Sequence, residues 1–255
     1  MIKETDIIST GIEKLDRLLE GGIPKGFTTL ILGTPGSSIE IMVKQIATVG
    51  NILYFTTEEN KDEVLETMKR FGWAIPTIDF VDISAQYYQN VLVGEQKRVS
   101  IYEQRSKLKL KELIELGSTA VPTTVKGVED YLAVLSNRLK QAAVEKIIIN
   151  SLDFFLSQYD QEDVLKTIYA GKISNLKNKA ALIIVMTKGI HGDLFEKKME
   201  SLADCVLELN VIQKGSAFER FLSVKKMRNY AKKIGIARYA IDDSGFVLEM
   251  IERIM

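Results

Sequence analysis

Thr28-Thr29-Leu30-Ile31-Leu32 runs directly into Gly33-Thr34-Pro35-Gly36-Ser37-Ser38-Ile39-Glu40, and Ile39 to Thr48 then reads as a helix. A short apolar strand, a Gly/Pro/Ser loop and a helix are the setting of a phosphate-binding loop, written G-x-x-x-x-G-K-[ST]. Gly33 and the inner Pro35-Gly36 fit that pattern, but Ser38 stands at the second glycine, Ile39 at the lysine and Glu40 at the Ser/Thr. Each replacement removes one physical function. Ser38 carries a β-carbon where backbone must approach a phosphate closely. Ile39 has no charge for the β- and γ-phosphates, and Glu40 removes the hydroxyl that would hold Mg²⁺. A carboxylate about 4 Å from a phosphate charge is unfavourable by about 4 kcal/mol at an effective dielectric of 20. The spacing Ser37-x-x-Glu40 also predicts a capping box, with Ser37 capping the helix and Glu40 occupying its positive end. The competing reading is drift at a loop no longer used. Both make the loop poor at hydrolysis, so no cofactor and no metal site is expected, ATP with Mg²⁺ held by substitute residues being the alternative.

Outward from the loop, apolar strands alternate with amphipathic helices. Asn51 to Thr57, Ile78 to Ile83, Lys146 to Asn150 and Ala181 to Thr187 read as buried strands. Lys61 to Phe71, Val128 to Ala143 and Gln161 to Leu176 read as helices between them. Such alternation predicts βαβ units and a mainly parallel sheet. Ala203 to Ile212, Arg220 to Val224 and Ala237 to Ile241 instead alternate like half-exposed antiparallel strands, and Asp242 to Gly245 reads as a turn before Phe246. The fold class is therefore α/β, with an antiparallel C-terminal extension. Residues 85–125 fit no element and read as an irregular insert in a single domain spanning 1–255.

Composition narrows the function classes. At 255 residues and 46% hydrophobic, the chain can bury one full core. Lys+Arg and Asp+Glu both total 34, so net charge points to neither nucleic acid nor membrane. The single cysteine, Cys205, excludes an internal disulfide framework. No apolar run approaches bilayer length, so a cytoplasmic protein without a membrane anchor is expected. Abundant Lys, Glu and Ile is a thermophile-like composition.

Six further stretches occur in order. Ser9-Thr10-Gly11-Ile12-Glu13-Lys14-Leu15-Asp16 and Gly21-Gly22-Ile23-Pro24-Lys25-Gly26 lead into the first strand; Tyr54-Phe55-Thr56-Thr57-Glu58-Glu59 and Arg70-Phe71-Gly72-Trp73 follow it. Ile147-Ile148-Ile149-Asn150-Ser151-Leu152 and Lys226-Met227-Arg228 come later. Together they resemble the KaiC/RadA-like branch of the RecA superfamily over most of the chain. The resemblance implies a RecA-like P-loop NTPase fold, with ATP held between neighbouring subunits of a ring or filament. It implies a Walker B aspartate on Mg²⁺, where this chain has Asn150, and paired acids that activate water, matched by Glu58 and Glu59. It further implies a K-x-R element, Lys226 and Arg228, reaching the phosphate from the adjacent subunit. Losses at Ser38, Ile39, Glu40 and Asn150, with Glu58, Glu59, Lys226 and Arg228 retained, predict a non-hydrolysing protein that keeps an interface. Its partner would be a second copy or a RecA/KaiC-like paralogue. On that reading Glu58 or Glu59 pairs with Lys226 or Arg228 of a neighbour in place of nucleotide; the plainer reading makes the two acids the N-terminal cap region of the next helix.

Other residues have plainer roles beside functional ones. Lys25 and Lys44 are the two lysines considered as substitutes for the missing one, Lys44 more than a turn along its helix. Arg220 to Lys233 contains six basic residues with Phe221 and Tyr230 interleaved, a pattern that suits single-stranded nucleic acid; a solvated face is the commoner explanation, and nucleic acid is not favoured. His191 follows a core strand without Cys or His partners, a poor metal signal. Trp73 reads as packing.

Overall fold

The computed structural model describes residues 6–91, 129–230 and 235–249. A nine-stranded sheet runs through them. Its strands are β3 (Thr28–Gly33), β4 (Ile52–Thr56), β5 (Ile78–Asp82), β6 (Lys146–Asn150), β7 (Ala181–Thr187), β8 (Cys205–Lys214), β9 (Ala217–Met227), β10 (Gly235–Asp242) and β11 (Gly245–Glu249). The spatial order is β11-β10-β9-β8-β3-β7-β6-β4-β5. The five links among β8, β3, β7, β6, β4 and β5 are parallel; those among β8, β9, β10 and β11 are antiparallel. β1 (Ile7–Ile8) and β2 (Ile23–Pro24) form a separate small ribbon.

Alternation along the strands builds two cores. Ile31, Tyr54, Ile148, Ile183 and Leu207 face one side, where α1 (Glu13–Leu18), α2 (Ile39–Ile46) and α3 (Lys61–Arg70) bury Leu15, Met42, Val43, Val64 and Met68. Leu30, Leu32, Phe55, Ile149 and Ile184 face the other side. That side is covered by α5 (Tyr131–Gln141), α6 (Asp153–Gln158), α7 (Gln161–Asn178) and α8 (Asp193–Leu202), through Leu135, Phe155, Ile168 and Met199.

The parallel core and the antiparallel extension follow the sequence reading. The start of the insert does not: residues 83–91 form a helix, α4, with Ile83 buried. Residues 92–128, the rest of the insert with its basic residues, lie outside the described residues, as do Lys232 and Lys233.

One buried charge makes stability pH-dependent. Lys146 begins β6 and is 1% exposed. Its ammonium donates to the carbonyls of Ile46 (3.1 Å) and Val49 (2.7 Å), closing the C-terminal end of α2. No carboxylate pairs with it among the described residues. Burial pulls its pKa down to about 8, against the partial opposition of Asp16 and Glu145. The unfolded lysine keeps its proton to about pH 10.4, so above pH 8 the unfolded chain binds more protons and stability rises with pH. The expected gain by pH 9.5 is about 2 kcal/mol. Urea midpoints between pH 7 and 9.5 will show this rise in the wild type and a flat profile in Lys146→Met.

Candidate functional site

β3, β4, β6 and β7 all end at one edge of the sheet, the edge at which open α/β sheets place ligands. There, β3 stops at Gly33, where an added β-carbon would lie 2.6 Å from Ser37 Oγ and 2.9 Å from Ile39 Cδ1. Only glycine fits. Thr34 N donates to Leu209 O (3.0 Å) and Ser37 N to Thr34 O (3.0 Å). Gly36 has φ 82°. Ser38, the N-cap of α2, sits in the left-handed region at φ 57°, ψ 35°, a conformation that costs a non-glycine residue about 1–2 kcal/mol.

The capping box expected from Ser37-x-x-Glu40 does not form. Ser38 rather than Ser37 is the N-cap, no side chain caps α2, and the left-handed backbone departs from the extended one that side-chain caps use. Ser37 is 1% exposed and its hydroxyl has no hydrogen-bond partner. Tyr239, on β10, donates its phenol to Ser37 O at 2.7 Å and so ties the loop to the C-terminal extension. Burial pushes that phenol's pKa well up; the Arg220 charge pulls it partly back and the Glu40 charge pushes it up. The phenol therefore remains a donor at any working pH.

Neither substitute lysine reaches the loop. Lys25 lines a cavity of about 390 Å³ with Ile7, Ser9, Glu145 and Lys146, at the opposite end of the strands. Lys44 is buried and turned toward α3, with its ammonium 2.5 Å and 2.8 Å from the two carboxylate oxygens of Glu59 and 3.4 Å from Thr67 Oγ1. Glu40 lines the groove between α2 and α3, beside Lys44, Glu59, Glu63 and Glu66.

The retained acids are both engaged within the chain. Glu58 is exposed and accepts a hydrogen bond from Ser151 Oγ at 2.6 Å; Glu59 is the Lys44 partner. Both stand just before α3, in its N-terminal cap region, though neither is the N-cap itself. That cap is Asn60, whose side chain accepts from Asp62 N and Glu63 N while Glu63 reaches back to Asn60 N. Asn150 is 8% exposed and donates its amide to Tyr54 OH at 2.9 Å.

His191 has a partner that the sequence did not disclose. Asp153, at the start of α6, accepts from His191 Nε2 (2.6 Å), Thr187 Oγ1 (2.6 Å) and Thr187 N (3.1 Å). Asp153 and His191 lie 38 residues apart; only the topology, which ends β6 and β7 side by side, joins them. Lys188 was also missed. It donates to Glu208 at 2.8 Å, and Lys225 lies 2.9 Å from the other oxygen. Burial would raise the Glu208 pKa, but Lys188, Asn210 and Lys225 together hold it down at about 2.

Lys226 and Arg228 lie elsewhere. Lys226 donates to Glu200 O and Ser201 O, both 2.9 Å, near the end of α8. Arg228 pairs with Asp204 at 3.0 Å, and Asp204 in turn accepts from Thr28 N, at the far end of β3 from the loop. Within one chain, these cations and the Glu58/Glu59 pair are therefore held apart. The basic run does not make one patch either, because Lys225 and Lys226 are tied to α8 and Arg220 shares the opposite face of the sheet with Leu222.

A parallel sheet between two helical layers, a strand–loop–helix unit at its carboxyl edge and an antiparallel extension define a RecA-like α/β protein. The chain belongs to the KaiC ATPase family, whose model matches residues 8–253. It is similar to the circadian clock oscillator protein KaiC of Picosynechococcus, 25% identical over 259 residues that cover 96% of this chain and 44% of the relative. The chain thus spans less than half the length of that relative. It is also 25% identical to a UPF0273 protein of Thermotoga maritima, covering 94% of this chain and 95% of that one. The crystal structure of a KaiC-like protein from Pyrococcus horikoshii superposes with a TM-score of 0.65 at 18% identity, covering 96% of this chain and 99% of that one.

For the ATP and Mg²⁺ implied by this family, the two halves of the site differ. The loop backbone, with left-handed residues at 36 and 38 and an orphaned Ser37 hydroxyl, fits a phosphate group. On the metal side, Asn150 directs its amide nitrogen to Tyr54, and its neutral carbonyl oxygen is a weaker Mg²⁺ ligand than a carboxylate. No helix among the described residues is long and apolar enough to cross a membrane.

Proposed function

We propose that this chain is a KaiC-like protein that does not hydrolyse ATP by the family route and acts by assembling with copies of itself or with a paralogue. The observation that carries this reading is the Lys44–Glu59 pair. Both carboxylate oxygens of Glu59 lie within 2.8 Å of the buried Lys44 ammonium, so the carboxylate is engaged by the chain itself and is not placed to orient a water molecule as a general base must. Ile39, Glu40 and Asn150 remove the lysine, the hydroxyl and the metal-binding carboxylate. For the interface, Glu58 is the acid left facing outward, and Arg228, with its side chain about half exposed, is the cation left facing outward. Their pairing across subunits would stand where the nucleotide bridges other family members.

Light scattering tests the assembly directly. The expected mass is a multiple of 28.7 kDa. Glu58→Arg and Arg228→Glu should each weaken assembly, and the double reversal should restore it. A monomer in every condition, or an ATPase rate abolished by Glu59→Gln, would overturn the reading.

A further inference from the structure

We propose that the cavity at the amino-terminal edge of the sheet binds a small carboxylate, its charge held by Lys146, Lys25 and Lys179 and its apolar body resting on Ile7, Ile8 and Val49. This goes beyond the assembly reading and does not depend on it.

The sheet gathers these lysines from distant parts of the sequence. β3, β7 and β6 are adjacent and parallel, and Lys25, Lys179 and Lys146 stand at or just before their starts. Backbone bonds fix the three segments side by side: Gly26 N donates to Ala180 O and Ala181 N to Glu145 O, both at 2.8 Å. The cavity they line lies at the end of the strands remote from the loop after β3.

Two observations point to a missing anion there. Lys146 is 1% exposed, and an ammonium has three N–H donors. Ile46 O and Val49 O take two of them; among the described residues nothing accepts the third, although Lys146 lines the cavity. Its lowered pKa reflects the same lack of a counter-charge. The second observation is that Lys25 and Lys179 are exposed beside the cavity, and neither makes an ion pair among the described residues. The acids nearby do not supply the pairing. Asp16 is committed to Ser9 and Thr10, accepting from Ser9 Oγ at 2.5 Å, Thr10 N at 2.8 Å and Thr10 Oγ1 at 2.7 Å. Glu145 is the acid that lines the cavity, and its carboxylate stands over Gly50, where an added β-carbon would lie 2.4 Å from Oε2. Both acids favour the Lys146 proton from a distance without bonding it. Cations therefore remain in excess. A carboxylate seated there would accept the third Lys146 hydrogen and reach Lys25 or Lys179 with its other oxygen. The aliphatic wall selects a carboxylate on an apolar body over a bare oxyanion. A volume of about 390 Å³, at the low end for ligand pockets, limits that body to a single ring or a short chain.

Binding should mark Lys146 in a way that a purely structural lysine would not show, because a paired ammonium keeps its proton to higher pH. The probes are benzoate and butyrate, with benzamide as the neutral control and inorganic phosphate as the bare oxyanion, all at constant ionic strength. In protein carrying ¹³C at the lysine ε-carbons, the Lys146 signal is the one lost in Lys146→Met, or in Lys146→Arg should that variant not fold. Saturating benzoate or butyrate should raise its titration midpoint by about one pH unit or more, and benzamide should leave it in place. Calorimetry should show proton uptake on binding at pH 8.5 and almost none at pH 6.5, where Lys146 already holds its proton. Lys25→Ser combined with Lys179→Ser should weaken binding about tenfold while proton uptake persists, and Lys146→Met should abolish the uptake. Urea unfolding separates these effects from loss of fold. An unmoved Lys146 midpoint overturns the proposal, as does absence of binding by both carboxylates, tighter binding of phosphate than of benzoate, or equal affinity in wild type and the double serine variant. Assembly is read independently by light scattering, so failure of one reading leaves the other to its own test.

Discussion

Glu59→Gln should cost about 3 kcal/mol of stability, more than Lys44→Met. The two variants break the same pair but leave different remnants. Lys44 is 3% exposed, and in Glu59→Gln its ammonium stays buried with only a neutral amide oxygen and Thr67 Oγ1, at 3.4 Å, to accept from it. Removing one partner of a buried pair costs about 3–5 kcal/mol, because the other charge is left uncompensated. Glu59 is 30% exposed, so when Met replaces Lys44 its carboxylate turns to water while the new side chain refills the space. The expected order of urea midpoints is wild type, Lys44→Met, then Glu59→Gln. The double variant should lie close to Lys44→Met, because the amide then has no cation to abandon. Equal losses in the two single variants would mean that the pair is solvated and that Glu59 is free to act as a base.

This pair marks the limit of what the sequence discloses. Lys146–Asn150 and Ala181–Thr187 were legible residue for residue, because a strand buried on both faces is a continuous apolar run. The antiparallel extension was legible from its alternation and from the Asp242-to-Gly245 turn. Residues 83–91 were not, since a short helix with Tyr87, Tyr88 and Val91 facing outward offers little periodicity. At the site, the residues at each motif position could be read, but their partners could not. Ser37-x-x-Glu40 is a local pattern that predicts a local cap. Its failure comes from Leu209 O and Tyr239 OH, more than 170 residues away, which fix the loop in another shape. Asn60, Asp153 and Lys188 escaped notice because single polar residues acquire roles only when the sheet brings strand ends together. Arg220 was visible only as one member of a basic run. The register of β9 against β8 separates it from Lys225 and Lys226.

Gly245→Ala should be the more disruptive of the two changes, destabilising by about 3–5 kcal/mol. Gly245 has φ 113°, where a β-carbon is strained by about 1–3 kcal/mol. An added methyl would also stand 2.2 Å from Trp73 Cζ2 and 2.7 Å from Gln45 Oε1, and overpacking of this kind adds about 1–3 kcal/mol. Relief requires both neighbours to move. Trp73 is stacked on Phe71 with ring centroids 4.7 Å apart and donates its indole N–H to Ser244 O at 2.8 Å. Gln45, on α2, accepts from Phe246 N at 2.8 Å. The Phe71-Gly72-Trp73 segment thus acts as a seat for the β10–β11 turn, and Gln45 fastens that turn to the helix that follows the loop. Moving either neighbour loosens β11 and β10, and Tyr239 of β10 is what holds Ser37. A stability loss in Gly245→Ala should therefore be accompanied by faster hydrogen exchange at Ser37 and Ser38, while exchange on β6 and β7 follows only the global change. Trp73→Ala combined with Gly245→Ala should lose less than the two single changes summed, because the cavity left by the indole accepts the methyl. Additive losses would place the strain in the backbone alone and detach the turn from the loop.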